Sequence, residues 1–174
     1  MRKFVAGIVV GVLAIPLLVL LLCIVGAWPM QANSDPPLWE AALARIALGA
    51  SLSRRAAHVA NPVALSADNL REGMHTYKDA CGGCHGDPSS SSDYGASFYP
   101  RAPQFAKTPP HKPDWQLFWL VKYGVRYSGM SAWDRQWRND QNVSDDHIWK
   151  VVTFLSHLDE LPPEVDKEWH TRTQ

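Results

Sequence analysis

The 174-residue sequence has no net charge, its 17 Lys and Arg balancing 17 Asp and Glu. That excludes nucleic acid as the main partner, because a phosphate-binding domain carries a large basic excess. Cysteine is scarce, and three residues are too few for a disulfide scaffold. No segment alternates apolar and polar residues for long, so no sheet is expected and the fold class reads as all-α. There is no internal repeat, and no nucleophile–base constellation of a substrate-converting enzyme stands out. One absence is local: Phe4 to Ala27 is an unbroken run without a charge, preceded by Arg2 and Lys3.

That run of 24 residues, as a helix, spans about 36 Å, enough to cross a hydrocarbon core of about 30 Å. Pro16 inside it is tolerated in membrane helices, and Trp28 follows at an interfacial position. Residues 1–30 are therefore expected to be an N-terminal transmembrane anchor. A cleaved signal sequence is the alternative, with Val25-Gly26-Ala27 as its small-residue site. Cys23 reads as a small apolar residue within the run. The positive-inside rule keeps Arg2 and Lys3 cytoplasmic. In a bacterium the rest then lies on the periplasmic side of the inner membrane.

Residues 31–65 read as a linker and an extra amphipathic helix. Leu38 to His58 repeats Trp39, Ala42, Leu43, Ile46 and Ala50 at helical spacing. This face is expected to pack on the domain behind it, with a membrane-surface or partner-docking helix as the minority alternative. A second helix starts at Ser66, an N-cap residue, with Asp68 in its first turn. A long loop from Gly86 to Pro113 is rich in Ser and Pro. A third helix is predicted over Asp114 to Tyr123, ending at Gly124. The last begins at Ser144-Asp145-Asp146, shows Ile148, Val151, Val152, Leu155 and Leu158 on one face, and stops at Leu161-Pro162-Pro163. Residues 162–174 form an acidic tail that reads as solvated surface.

The chemistry is concentrated in Cys81-Gly82-Gly83-Cys84-His85, the C-x-x-C-H pattern of c-type haem attachment. Thiols at i and i+3 span the two vinyl groups of one porphyrin, and the adjacent His falls beneath the iron as its proximal ligand. Chance alone gives roughly 0.002 such motifs in a chain of this composition. A zinc site would want further ligands at suitable spacing, and a thioredoxin-like pair a βαβ setting. A structural disulfide would leave His85 without a role. One covalent haem c is therefore expected, and its porphyrin would supply the apolar centre that so small a domain lacks. For the opposite axial position, Met130 is the only Met after the motif, beside Gly129. His111 in the loop is the best rival, ahead of His147, His157 and His170, and an open site is the remaining alternative.

Residues 66–161 resemble a class I cytochrome c domain of the membrane-anchored bacterial monohaem group. Gly73 and Tyr77, eight and four residues before Cys81, match that family's first helix, where Gly lets the last helix cross closely. Tyr99-Pro100-Arg101-Ala102-Pro103-Gln104-Phe105 resembles its Pro-rich loop, which implies that the Pro103 carbonyl accepts the His85 Nδ1–H bond. Gly124-Val125-Arg126 through Gly129-Met130-Ser131-Ala132-Trp133 is similar to its Met-ligand loop, with Ser131 where Pro is usual. Ile148 to Leu155 resembles the terminal helix. The resemblance implies an electron carrier with His/Met ligation at His85 and Met130, not an enzyme itself. Its partners would be redox proteins such as membrane oxidoreductases, met either as a tethered shuttle or as a subunit of their complex. The alternative function is a haem-based gas sensor or small-molecule-binding cytochrome with a labile sixth ligand.

Overall fold

A computed structural model describes residues 2–134 and 144–171 of the chain. Residues 135–143, inside the span read as the cytochrome domain, and 172–174 of the tail lie outside the described residues. Among the described residues every regular element is a helix. The chain divides into two compact units, residues 1–31 and 32–174.

The first unit is α1, Arg2–Ile24, with Pro16 inside it. Lys3–Ile24 is long and apolar enough to cross a membrane. Beyond the helix, Gly26 adopts φ 71°, and the Ala27 and Trp28 amides turn back to the Leu22 carbonyl.

The second unit is built on the crossing of α3 (Ala67–Ala80) and α7 (Asp145–Ser156). Both start where capping chemistry predicts. The Ser66 hydroxyl accepts the Asn69 amide and Ser144 that of His147, with Asp68, Asp145 and Asp146 in the first turns. Gly73 makes the crossing possible. A Cβ there would overlap the Lys150 carbonyl oxygen and stand 2.9 Å from the Phe154 Cβ. Around the crossing Leu70, Met74 and Tyr77 of α3 are buried against Ile148, Val151, Val152, Phe154 and Leu155 of α7. The helix expected over Asp114 to Tyr123 is α6 (Asp114–Tyr123), which packs on α7 through Phe118, whose ring stacks on Trp149 at 4.0 Å. It ends at Gly124, φ 66°, where a Cβ would stand 2.7 Å from the Met130 carbonyl oxygen. Two one-turn helices, α4 (Gly82–His85) and α5 (Asp93–Ala96), lie between α3 and α6.

Two flanking segments differ from expectation. The helix α2, Leu38–Arg55, buries Leu52 in its last turn, and the next residue, Ala56, is buried too. The stripe expected to pack is instead exposed at Trp39, Leu43 and Ile46. A second apolar line takes the inner side: Ala41 and Leu48 are half-buried and Leu52 is buried, at helical spacings of seven and four. In the tail, Pro163–Trp169 forms α8, with Pro163 at a first-turn position where its missing N–H costs nothing. Glu164 and Asp166 are exposed, but Val165 and Trp169 are in the core, so the tail is not simply solvated. The Trp169 ring meets Tyr77 edge-on at 5.5 Å and Phe154 at 5.1 Å.

Candidate functional site

The C-x-x-C-H segment is a single helical turn grown from the end of α3. The Cys81 amide bonds the Tyr77 carbonyl, and the Cys84 and His85 amides return to the Cys81 carbonyl at 3.0 and 2.8 Å. Residues three apart on such a turn lie on nearly one face, so the two thiols project together with His85 beside them. Gly86, φ 73°, ends the turn in the left-handed region, and its amide bonds the Gly82 carbonyl. Neither cysteine is paired in a disulfide. Burial, reinforced by the neighbouring Cys84, pushes the Cys81 thiol up to about 12.

The loop that follows folds back to hold this turn. Gln104 is its clamp: its amide nitrogen donates to the Cys84 and Ala102 carbonyls, and its side-chain oxygen accepts the Ser92 amide at 2.7 Å. The Ser92 hydroxyl donates to the Gly83 carbonyl while capping α5 at the Gly95 amide. Gly95 is needed there, since any Cβ would overlap the Cys84 carbonyl oxygen. From α3 the Tyr77 hydroxyl donates to the Gly86 carbonyl at 2.8 Å, and its burial raises the phenol well above the usual range. The Phe105 amide bonds the His85 carbonyl, and its ring stacks on the imidazole at 4.4 Å.

His85 is thereby oriented. Its Nδ1 lies 2.8 Å from the Pro103 carbonyl oxygen. A carbonyl can only accept, so Nδ1 carries a proton and, in the neutral ring, Nε2 keeps the lone pair. Burial lowers the pKa of the ring, while the Pro103 bond acts in the opposite direction. A neutral imidazole with one nitrogen fixed by a backbone oxygen is in the state that metal ligation requires.

Met130 sits on a loop pinned at both ends. The Val125 amide bonds the Met130 carbonyl, and the Trp133 and Asp134 amides bond the Lys122 carbonyl. The Ser128 hydroxyl donates to the Val125 carbonyl and lies 3.2 Å from the Met130 amide, which donates to it. Gly129 lies close against the Phe98 ring, where a Cβ would stand 2.8 Å from a ring carbon. Met130 itself is half-buried and packs on the same core as Cys81, Phe105, Phe118 and Trp133. The other candidate histidines lie as follows. His111 is exposed with Nδ1 3.9 Å from an Asp159 oxygen, and Nδ1 of His147, His157 and His170 meets Ser144 Oγ, the Thr153 carbonyl and the Asp166 carbonyl.

The donor set fits a porphyrin better than a bare ion. Among the described residues no three or more His, Cys, Asp or Glu gather into a metal cage. Two thiols and one imidazole instead suit a macrocycle that brings its own equatorial nitrogens. The sequence motifs marked Cys81, Cys84, His85, Met130 and Pro103, but gave no role to Gln104, Phe105 or Ser92. A Gln directly after the loop proline was the available signal.

The family described as cytochrome C oxidase, cbb3-type, subunit III matches residues 68–155. That span runs from the first turn of α3 into the last turn of α7. No curated protein and no solved structure gives a significant match.

Proposed function

The chain belongs to the cbb3-type cytochrome c oxidase subunit III family, and on that premise we propose that it carries one haem c on Cys81 and Cys84, with His85 and Met130 as axial ligands. Membership makes it a c-type cytochrome, an electron-transfer protein with covalently bound haem, and fits a part in an oxidase or other redox complex. When bound, the haem supplies a reversible one-electron change at iron. The chain's own residues bind and orient. The Cys81 and Cys84 thiols, on one helical turn, would hold the haem through two thioethers. His85 presents Nε2 because Pro103 holds Nδ1, and the Phe105 ring limits rotation of the imidazole. Met130 would supply the second iron ligand, a thioether that would favour the reduced iron and keep exogenous ligands out.

The observation that carries this reading is the His85 Nδ1 to Pro103 carbonyl bond at 2.8 Å, which makes Nε2 the ring nitrogen left for an iron. Residues 66–161 are the haem domain in this reading, with residues 1–30 its membrane anchor. The positive residues at the start of α1 set the haem domain on the periplasmic side of a bacterial inner membrane. There it delivers electrons to, or takes them from, a membrane oxidoreductase.

Intact mass after acid–acetone extraction, together with visible spectra, tests the proposal. The mass should retain a single haem, and the ferric protein should show the weak sulfur-to-iron charge-transfer band. Met130→Ala should lose that band, lower the potential and admit carbon monoxide. An apo mass would remove the covalent haem. Ready carbon monoxide binding by the unmutated protein would favour the gas-sensing alternative, and an unchanged band in Met130→Ala would move the ligand elsewhere.

A further inference from the structure

The outward face of α2 is apolar and edged with positive charge. At about 100° per residue, Leu38, Ala42, Ile46, Ala50 and Leu43 share one side of the helix, away from buried Leu52. Leu38, Leu43 and Ile46 are 88%, 60% and 69% exposed. Arg45 and Arg54 fall at the two edges of that stripe, and Arg55 lies beyond it. None of the three joins an ion pair among the described residues. The one acidic residue of the helix, Glu40, accepts the Tyr99 hydroxyl at 2.8 Å on the domain side. A stripe of this kind, flanked by free guanidinium groups on long apolar stems, suits the boundary of acyl chains and phosphate headgroups.

We propose that α2 lies in the surface of an anionic phospholipid leaflet, with Leu43 and Ile46 at the acyl boundary and Arg45 and Arg54 at the phosphates. Two features favour lipid over a protein groove. The charge at the stripe's edges is of one sign, complementary to anionic headgroups. Only residues 25–37 separate α1 from α2, so the helix stays near the bilayer that α1 crosses. This second point rests on the reading of α1 as a membrane anchor.

The test uses the full-length haem-loaded chain with Cys23→Ala, in vesicles of phosphatidylcholine with or without phosphatidylglycerol. A spin label is placed singly at Leu17→Cys, Leu43→Cys, Ile46→Cys or Thr108→Cys, and collisions with oxygen and with a water-soluble nickel chelate are compared. Labels at 43 and 46 should show a severalfold higher ratio of oxygen to nickel collisions than the label at exposed Thr108. The ratio should fall when Arg45 and Arg54 are both changed to Glu, most clearly in the phosphatidylglycerol vesicles. If position 17 reports lipid while 43 and 46 match 108, the anchor stands and this inference fails. If position 17 reports water or is lost by cleavage, the anchor reading fails. In that case, loss of flotation of the chain with anionic vesicles overturns the α2 proposal as well. Labels at 43 and 46 shielded from both reagents would report a protein partner and overturn it.

Discussion

The segments flanking the α3/α7 crossing exchange the parts that their sequences assign to them. α2 has a clean apolar stripe and leaves it exposed at Leu43 and Ile46, whereas α8 lies in an acidic tail and buries Trp169 to 4% exposure. The difference teaches that periodicity identifies a face without identifying what covers it. A helix with few apolar residues can still be fixed to a core by one aromatic placed where a cluster waits. Trp169 finds Tyr77 and Phe154 already in contact at 5.8 Å, and it closes an aromatic triad.

The comparison breaks most visibly in a pair of truncations. Trp169→Ala should cost about 3–5 kcal/mol in denaturant unfolding, as large buried aromatics do. Leu43→Ala should change stability by no more than about 0.5 kcal/mol in a membrane-free assay. Equal losses would mean that the stripe of α2 packs within the domain after all.

A smaller effect tests how the α2 segment is held. The Asn61 side-chain amide donates to Asp114 and to the buried Thr153 hydroxyl, both at 2.9 Å. Its oxygen accepts the Val63 amide, and nearby His58 stacks on Trp115 at 4.0 Å. Asn61→Ala should cost about 1–3 kcal/mol, the range for partners left unsatisfied on burial. Hydrogen exchange should rise selectively in residues 38–63 and leave α8 protected. Uniform loss across the unit would show that the segment is part of one cooperative core.

Much of this was legible in the sequence. Ser66, Ser144 and Gly124 carry capping chemistry that needs no tertiary information, and the structure uses all three. Gly73 was legible only through the family resemblance, because a small residue on an apolar helix face does not say that a backbone will approach it. The attachment motif was legible as chemistry, but its clamp was not. Gln104 acts through backbone carbonyls at Cys84 and Ala102, which no pattern of side chains encodes. The packing of α8 was hidden for a related reason. Its acidic residues dominate the composition, while Val165 and Trp169, four apart, are too few to make a periodic signal.

On the α8 side the ion pairs should matter least. Glu168 meets Arg71 Nε at 3.2 Å and His75 Nε2 at 3.0 Å, both partly exposed. Glu168→Gln should cost no more than about 1 kcal/mol, as surface pairs do, and the loss should shrink in high salt. A larger loss would mean that charge, rather than Trp169, fixes α8.

The platform shared by both flanks has its own pH signature. Lys150 bonds Glu72 at 2.7 Å and Asp146 at 2.9 Å, and these bonds raise its ammonium group above the ordinary lysine range. A raised folded-state value means that the folded chain holds the proton longer than the unfolded one. Its contribution is complete below the ordinary lysine pKa and fades as pH rises through the folded value. The stability difference between the native chain and Lys150→Met should therefore narrow as pH rises through the alkaline range, followed by urea midpoints against pH. A constant difference would mean that the aliphatic stem, not the charge, does the stabilising.

The Asn61 clamp also governs how far the cytochrome can sample its surroundings. Were all of residues 25–65 slack, 41 residues would join the end of α1 to the haem domain. With α2 and Asn61 fastened to that domain, the slack is the 13 residues from 25 to 37. Effective concentration varies roughly as the −3/2 power of linker length, so this shortening raises the local concentration of the second unit near α1 about sixfold. If α1 is the membrane anchor proposed above, a cytochrome on so short a leash would serve a neighbour in the same patch of membrane, with little reach toward an acceptor stationed across the compartment.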